Sequence, residues 1–387
     1  MTTVCSIFSQ ILQLFPRSEF EAAVRKHRAE RHARGFTCWG QFIAMLFCQL
    51  GRAHSLSEIT QGLAASEGKL RHLGLEQAPA KSTLAYANQH RPWELYQTVF
   101  LDLLERCRSL ADTRQRKFRF KNKLVSLDAT VIDLSLELYD WAHFRRTKGA
   151  VKLHLLLDHD GYLPRFAVLT DGKTHEIRVA RQIAFDPGTI IVVDRGYNDY
   201  DWFETLTVQG VWFVTRMKEN ADYVVIEERP AKGKNVRSDQ VVSLFRHARQ
   251  QKDLFFRRIT VWDEENEREL VFLTNHLTWA ASTIATVYKD RWQVELFFRS
   301  LKQLCKIKSF VGTSANAVKT QVWTALIAML LLRFLQLKAK FNWVLSNLVA
   351  LLRQQLFVHR DLWVWIDEPF QPPAPPDAEQ LLLLPAK

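Results

Sequence analysis

The sequence offers little from which a covalent framework could be built. Its five cysteines (Cys5, Cys38, Cys48, Cys107 and Cys305) are odd in number, scattered and never spaced C-x-x-C. Neither a disulfide scaffold nor a zinc site follows from them, and a reducing compartment is the simplest setting. Long apolar runs are scarce too. The longest, around Val322–Leu332, is closed by Arg333 and falls short of the ~20 residues that span a bilayer. Met1–Leu14 has no basic leading segment and no small-residue cleavage site, which predicts no secretory signal. A soluble, cytoplasmic protein with no membrane partner is the expectation. The chain also has no P-loop, no G-x-G-x-x-G, no H-E-x-x-H and no G-x-S-x-G, so the common nucleotide, zinc-protease and serine-hydrolase constellations are missing.

Apolar residues make up 47% of the chain and charged ones 24%, which excludes a wholly disordered or fibrous protein. At 387 residues the chain exceeds what one core usually serves, so two or three domains are expected. Charge is the distinctive feature: 53 basic against 41 acidic side chains, a net +12, and a pI near 9.5. Such an excess concentrates polyanions, nucleic acid above all. The basic residues cluster in three patches: Arg25–Arg28 with Arg31 and Arg34, Arg114–Lys123, and Arg145-Arg146-Thr-Lys148. Each could also be a solvated face or linker.

Residues 8 to about 110 read as helical, with apolar residues at three- and four-residue spacing in Phe36–Leu50 and Trp93–Leu110. Ser55, with Glu58 three residues on, has the form of a helix cap. After a basic linker the texture turns to strands: Leu124–Leu136, then Ala150–Asp158 and Tyr162–Thr170 flanking a hairpin turn, Asp158–Gly161. Asp171–Phe185 reads as a helix, Thr189–Val193 as a buried strand, Tyr200–Gln209 as a helix and Val211–Arg216 as a strand, an α/β order. Asp222–Thr274 carries strand-like runs (Tyr223–Ile226, Leu254–Trp262, Glu269–Thr274) and reads as a β-rich insertion. Helices follow at Ser282–Lys308, Ala317–Lys340 and Asn342–Phe357, and the Pro-rich tail Pro369–Lys387 is expected to be extended. The expected domains are a helical N-terminal domain over 1–75, a candidate DNA-binding module; a helical segment and basic linker, 76–123; a core in two parts, 124–220 and 276–340, split by the insertion 221–275; and a C-terminal helix and tail, 341–387.

Three acids stand out. Asp128 lies inside an apolar strand, where an aspartate is costly unless paired or bound to a metal. Asp194 directly follows Thr189–Val193, at the strand end where open α/β sheets bind ligands. Glu295 lies on the helix Ser282–Lys308. On that helix Tyr288, Arg291, Glu295 and Lys302 fall at about 0°, 300°, 340° and 320°, one stripe roughly 60° wide. Val287, Val294, Phe297, Leu301 and Leu304 form a separate apolar face. Hard divalent cations take carboxylate and phosphate oxygens, and two of them about 3.5–4 Å apart can activate a hydroxyl and stabilise a leaving oxygen.

Tyr288-x2-Arg291-x3-Glu295-x6-Lys302 resembles the Y-R-E-K signature of bacterial insertion-sequence DDE transposases, with every spacing intact. Asp128 in LDAT and Asp194 in VVDRGY resemble that family's first and second acids, and Phe15–Leu63 is similar to an N-terminal domain that some members carry. The resemblance implies an α/β fold with a ribonuclease-H-like catalytic core, a β-rich insertion and a preceding helical domain, and cut-and-paste transposition. It further implies Asp128, Asp194 and Glu295 as catalytic metal ligands for Mg²⁺, two ions, with Mn²⁺ able to substitute. Tyr288, Arg291 and Lys302 would hold DNA phosphates near the cleaved end. The implied partners are double-stranded DNA, as terminal inverted repeats and target, and a second copy of the chain in a synaptic homodimer, nucleoid-associated when bound. Relatives that cut through a hairpin hold a flipped base with an insertion tryptophan; here the corresponding stretch, Glu269–Phe272, has none, and Trp262 and Trp279 flank it. A catalytically silent DNA-binding derivative and a ribonuclease-H-like nuclease without strand transfer remain alternatives at this stage.

Overall fold

The computed structural model describes residues 5–31, 33, 35–66, 68–111, 117–134, 141, 143–145, 148–244, 254–304 and 310–371. Arg114–Arg116 of the second basic patch, Arg146 and Thr147 of the third and most of the Pro-rich tail, with Arg34, Ser135, Leu136 and Cys305–Lys308, lie outside these residues. The chain forms two compact units, one of Met1–Leu103, Leu304–Gly312 and Asn316–Lys387, the other of Leu104–Gln303 and Thr313–Ala315.

The first unit opens with α1 (Ile7–Leu12), α2 (Arg17–Lys26), α3 (Cys38–Leu50), α4 (Leu56–Ala64), α5 (Leu70–Leu73), α6 (Lys81–His90) and the start of α7 (Glu94–Ala111). Its central element is α3, buried on nearly every side, as expected of a helix apolar all round. The Ser55 cap holds: its Oγ accepts from Glu58 N at 3.1 Å, and the Glu58 carboxylate accepts from His54 N.

Among the described residues, the second unit is built on one ten-stranded sheet. Its strands are β1 (Leu124–Leu134), β2 (His143–Arg145), β3 (Lys148–Asp158), β4 (Leu163–Asp171), β5 (Ile190–Val193), β6 (Trp212–Arg216), β7 (Tyr223–Arg229), β8 (Val236–Leu244), β9 (Phe256–Asp263) and β10 (Arg268–Thr274). The order runs β2-β3-β1-β5-β6-β10-β9-β8-β7, with β4 on β3. β1, β3 and β4 form an antiparallel meander, and β5 joins β1 in parallel, as does β6 with β5. The order β4-β3-β1-β5-β6 is that of a ribonuclease-H-like core. The inserted strands extend that sheet, because β10 pairs with β6.

Three details differ from the sequence reading. The helix expected over Asp171–Phe185 is cut to α8 (Glu176–Ala180), because Asp171 Oδ1 caps a turn by accepting from Thr174 N and Oγ1. The strand β8 was hidden by its charges; Asp239 is buried there in a bidentate pair with Arg257 at 2.8 and 2.6 Å. After α9 (Tyr200–Val208), the helix expected over Ser282–Lys308 is two, α10 (Ala281–Asp290) and α11 (Trp292–Leu304), with Arg291 between them in right-handed conformation and its N–H on Tyr288 O.

The described residues continue through α12 (Ala315–Lys338), α13 (Leu345–Gln355) and α14 (Leu362–Asp367), which from Asn316 on belong to the first unit. Here the short-run expectation is corrected. α12 is long and apolar enough to cross a membrane by length and composition, since its apolar residues continue past the stretch counted in sequence. It is buried in the protein instead, with Trp323 stacked on Trp93 and packed on Phe100.

Candidate active site

Side chains alternate along a strand, so Leu124, Ser126 and Asp128 share one face of β1. Leu124 packs there with Ile190 and Val192 of β5 and with Ala281, Ile284 and Val287 of α10. Val125 and Leu127 turn the other way, toward Phe203 and Leu206 of α9. The same alternation puts Asp194 in phase with Ile190 and Val192. Leu127 pairs with Val193, so Asp128 and Asp194 are the residues that follow the last paired ones on two adjacent strands, near enough that the Asp194 charge raises the Asp128 carboxyl. Both acids therefore lie on the face that α10 covers. Asp194 also caps the following turn, its Oδ1 accepting from Gly196 N at 2.8 Å.

Arg291, at the junction of α10 and α11, completes the group. Its Nη1 donates to Asp128 Oδ2 at 3.0 Å and its Nη2 to Glu295 Oε1 at 2.5 Å. The guanidinium thus bridges two acids that are far apart in sequence. Burial is the main force that pushes the Asp128 carboxyl up to about 6; Arg291 and the Ala129 N–H oppose it, and the charges of Asp194 and Glu295 add to it. Among the described residues, no three His, Cys, Asp or Glu side chains form a ready metal cage. Asp128 and Glu295 are instead tied to Arg291.

The Tyr288 ring packs on Phe272 at 5.1 Å, with the Arg291 guanidinium 5.6 Å from its centroid. Burial raises the Tyr288 hydroxyl above its ordinary value, against the pull of Arg291 and Arg216. Lys302 Nζ donates to the Val131 carbonyl at 2.9 Å. Of the insertion aromatics, Phe272 is buried core and Trp279 is stacked on Phe120 and His276, while Trp262 is half-exposed with Arg237 over its ring. A second polar cluster, Ser126, His159 and Asp290, lies beside the first. Sequence reasoning missed it, because no spacing rule joins residues on a strand, a hairpin turn and a helix end.

Residues 119–331 match the family described as Transposase DDE domain, and residues 3–76 match one described as Domain of unknown function (DUF4372). A Sinorhizobium fredii protein named as the transposase y4zB is 32% identical over 290 residues, 74% of this chain and 80% of that one. A Geobacillus stearothermophilus protein named as the transposase for insertion sequence element IS5377 is 29% identical over 68% of this chain and 70% of its own. A Synechocystis protein named for insertion sequence element IS4SA is 23% identical over 66% and 71%. With a match over more than half its length, carried by the segment that holds all three acids, the chain belongs to the transposase DDE domain family.

Proposed function

We propose that this protein is the transposase of a bacterial insertion sequence of the Y-R-E-K group, which binds the terminal inverted repeats of its element, cleaves the DNA there and joins the ends to target DNA. The observation that carries the reading is the Arg291 bridge. It brings Asp128 and Glu295 together on the sheet face that also presents Asp194. Asp128, Asp194 and Glu295 are assigned as ligands of two Mg²⁺ ions, replaceable by Mn²⁺. The donors fit such a group: all are hard carboxylate oxygens, and the charges of Asp194 and Glu295, which add to the burial that raises the Asp128 carboxyl, are ones a divalent cation would offset. Such ions supply Lewis-acid activation of the attacking hydroxyl and of the leaving oxygen.

The chain's own residues do the positioning. Arg291, once exchanged from Asp128 and Glu295, presents a planar fork that fits a phosphate beside the scissile bond. Its Nε–H is buried with no partner among the described residues, which leaves a donor for that contact. Lys302 supplies a mobile point charge further along α11, and the Tyr288 hydroxyl a third donor. Two ends must be held at once, so the working form is a DNA-bound homodimer, in the cytoplasm and on the nucleoid.

The test is cleavage of a terminal-repeat duplex by the full chain with Mn²⁺. Asp128→Ala, Asp194→Ala and Glu295→Ala should each abolish cleavage and leave end binding within about threefold, since the acids repel rather than hold phosphate. Cleavage by any one of them near the wild-type rate would refute the assignment. A supercoiled-target integration assay separates strand transfer from nicking alone, and a wild-type protein that binds ends without cutting would indicate a silent derivative.

A further inference from the structure

Asp290, the residue before Arg291, is buried and heavily bonded. Its carboxylate accepts from His159 Nδ1 at 2.5 Å, from Lys117 Nζ and from Tyr162 OH at 3.3 Å. Burial would raise this carboxyl, but the bonds from His159 and Lys117 outweigh it and hold it below the ordinary value. On the far side of the ring, His159 Nε2 pairs with Ser126 Oγ at 2.7 Å. With Nδ1–H donating to Asp290, Nε2 accepts the Ser126 hydroxyl proton and every polar atom of the ring is satisfied. The order Ser–His–Asp is that of a nucleophilic triad. Ser126 is fully enclosed, however, at 0% exposure, so no substrate reaches its Oγ and a hydrolytic role is excluded.

Position gives the cluster its meaning. Ser126 lies one pleat before Asp128 on the same face of β1, and Asp290 is the last residue of α10, next to Arg291. The two ends of the hydrogen-bond chain are thus near neighbours of the two ends of the Asp128–Arg291 pair. His159 is supplied by the β3–β4 turn, where Gly161 and Tyr162 both have left-handed backbone, φ +77° and +54°. A tyrosine there is strained, and its hydroxyl is one of the donors to Asp290. Apolar contacts from Ile284 and Val287 already dock α10 on the sheet. Directional hydrogen bonds add what such contacts lack, a single permitted position along the strand.

We propose that Ser126, His159 and Asp290 are positioning residues that fix the α10–α11 junction against β1, so that Arg291 and Glu295 meet Asp128 in one geometry. The proposal rests on the assignment of Asp128 and Glu295 above. A misplacement of about 1 Å at a reacting group can cost ~100-fold in rate.

The test uses the full chain with terminal-repeat duplex and saturating Mn²⁺. His159→Phe keeps the ring and removes both hydrogen bonds. It should lower single-turnover cleavage at saturating DNA by about 30- to 100-fold while KM for the end changes less than about threefold. His159→Asn, which restores a donor toward Asp290, should recover a large part of the loss. In an Arg291→Lys background, where the fork is gone, His159→Phe should cost far less. Cleavage by His159→Phe within about threefold of wild type, or a loss that simply adds to that of Arg291→Lys, overturns the proposal. Should His159→Phe fail to fold, Ser126→Ala carries the same split between kcat and KM. Asp128→Ala run in parallel keeps the two readings apart. If it still cleaves, the site assignment falls and takes this proposal with it; if it is dead while His159→Phe is normal, only the positioning role falls.

Discussion

Arg291 sets one positive charge against two carboxylates, and a divalent cation would compete for the same oxygens. The pair geometry predicts a measurable exchange. Arg291→Gln removes the charge but keeps a polar side chain, so the metal-free protein should be destabilised by about 1–3 kcal/mol. That is below the cost of breaking a fully buried pair, because the Glu295 side chain is 33% exposed against 13% for Arg291. Mn²⁺ should then stabilise the variant more than the wild type, since it no longer has to displace a guanidinium. Thermal unfolding with EDTA and with a Mn²⁺ series reads both effects. Equal metal-induced shifts in the two proteins would show that Arg291 and the cation do not share ligands. Part of this was legible in sequence. The four-residue step from Arg291 to Glu295 is one helical turn and follows from periodicity alone. The contact of Arg291 with Asp128 is not, because only the tertiary docking of α10 on β1 brings them together.

At the level of elements, strand period and apolar content were readable, and strands stabilised by buried charge were not. β1, β3, β4 and β5 show through their runs of Val, Ile and Leu. β8 escaped because its Arg257-paired Asp239 looks like a turn residue until the partner strand is known. β3 holds a further buried polar group with a consequence for pH. His154 bonds Thr170 Oγ1 on β4 through Nε2, and its Nδ1 is buried with no partner among the described residues. Burial, helped by Lys152, lowers its pKa from 6.5 to about 4. The unfolded chain then binds the proton more tightly, so this residue's share of stability is complete above about 6.5 and is lost as pH falls toward about 4. Asp128 acts in the opposite sense, since its raised carboxyl costs stability as pH rises from 3.8 to about 6. The difference between two proteins isolates the histidine. His154→Gln does not titrate and keeps an amide toward Thr170, so its melting temperature should fall less than the wild type's between pH 6.5 and 4. Parallel curves would mean that His154 takes up its proton as readily in the folded state.

For the whole molecule, the net charge of +12 gives affinity for any duplex, so end recognition must be separated from bulk attraction by salt. Each phosphate contact removed should reduce the slope of log K against log salt by about one unit. Lys302 is the informative residue, because in the free protein its ammonium donates to the Val131 carbonyl, and the role proposed above would have it hold a phosphate in the DNA complex. Lys302→Ala should therefore weaken binding of the cleaved end more than that of uncut flanking duplex, and lower the slope for the end by about one unit. Arg291→Lys keeps the charge and should leave the slope nearly unchanged, yet it should damage cleavage because the fork is lost. EDTA should abolish cleavage in every variant and leave end binding in place, since phosphate contacts do not need the metal. If Lys302 served only to tie α11 to β1, its removal would lower the melting temperature and affect end and flanking DNA alike. Binding isotherms for the two duplexes over a salt series, with melting temperatures alongside, distinguish these outcomes.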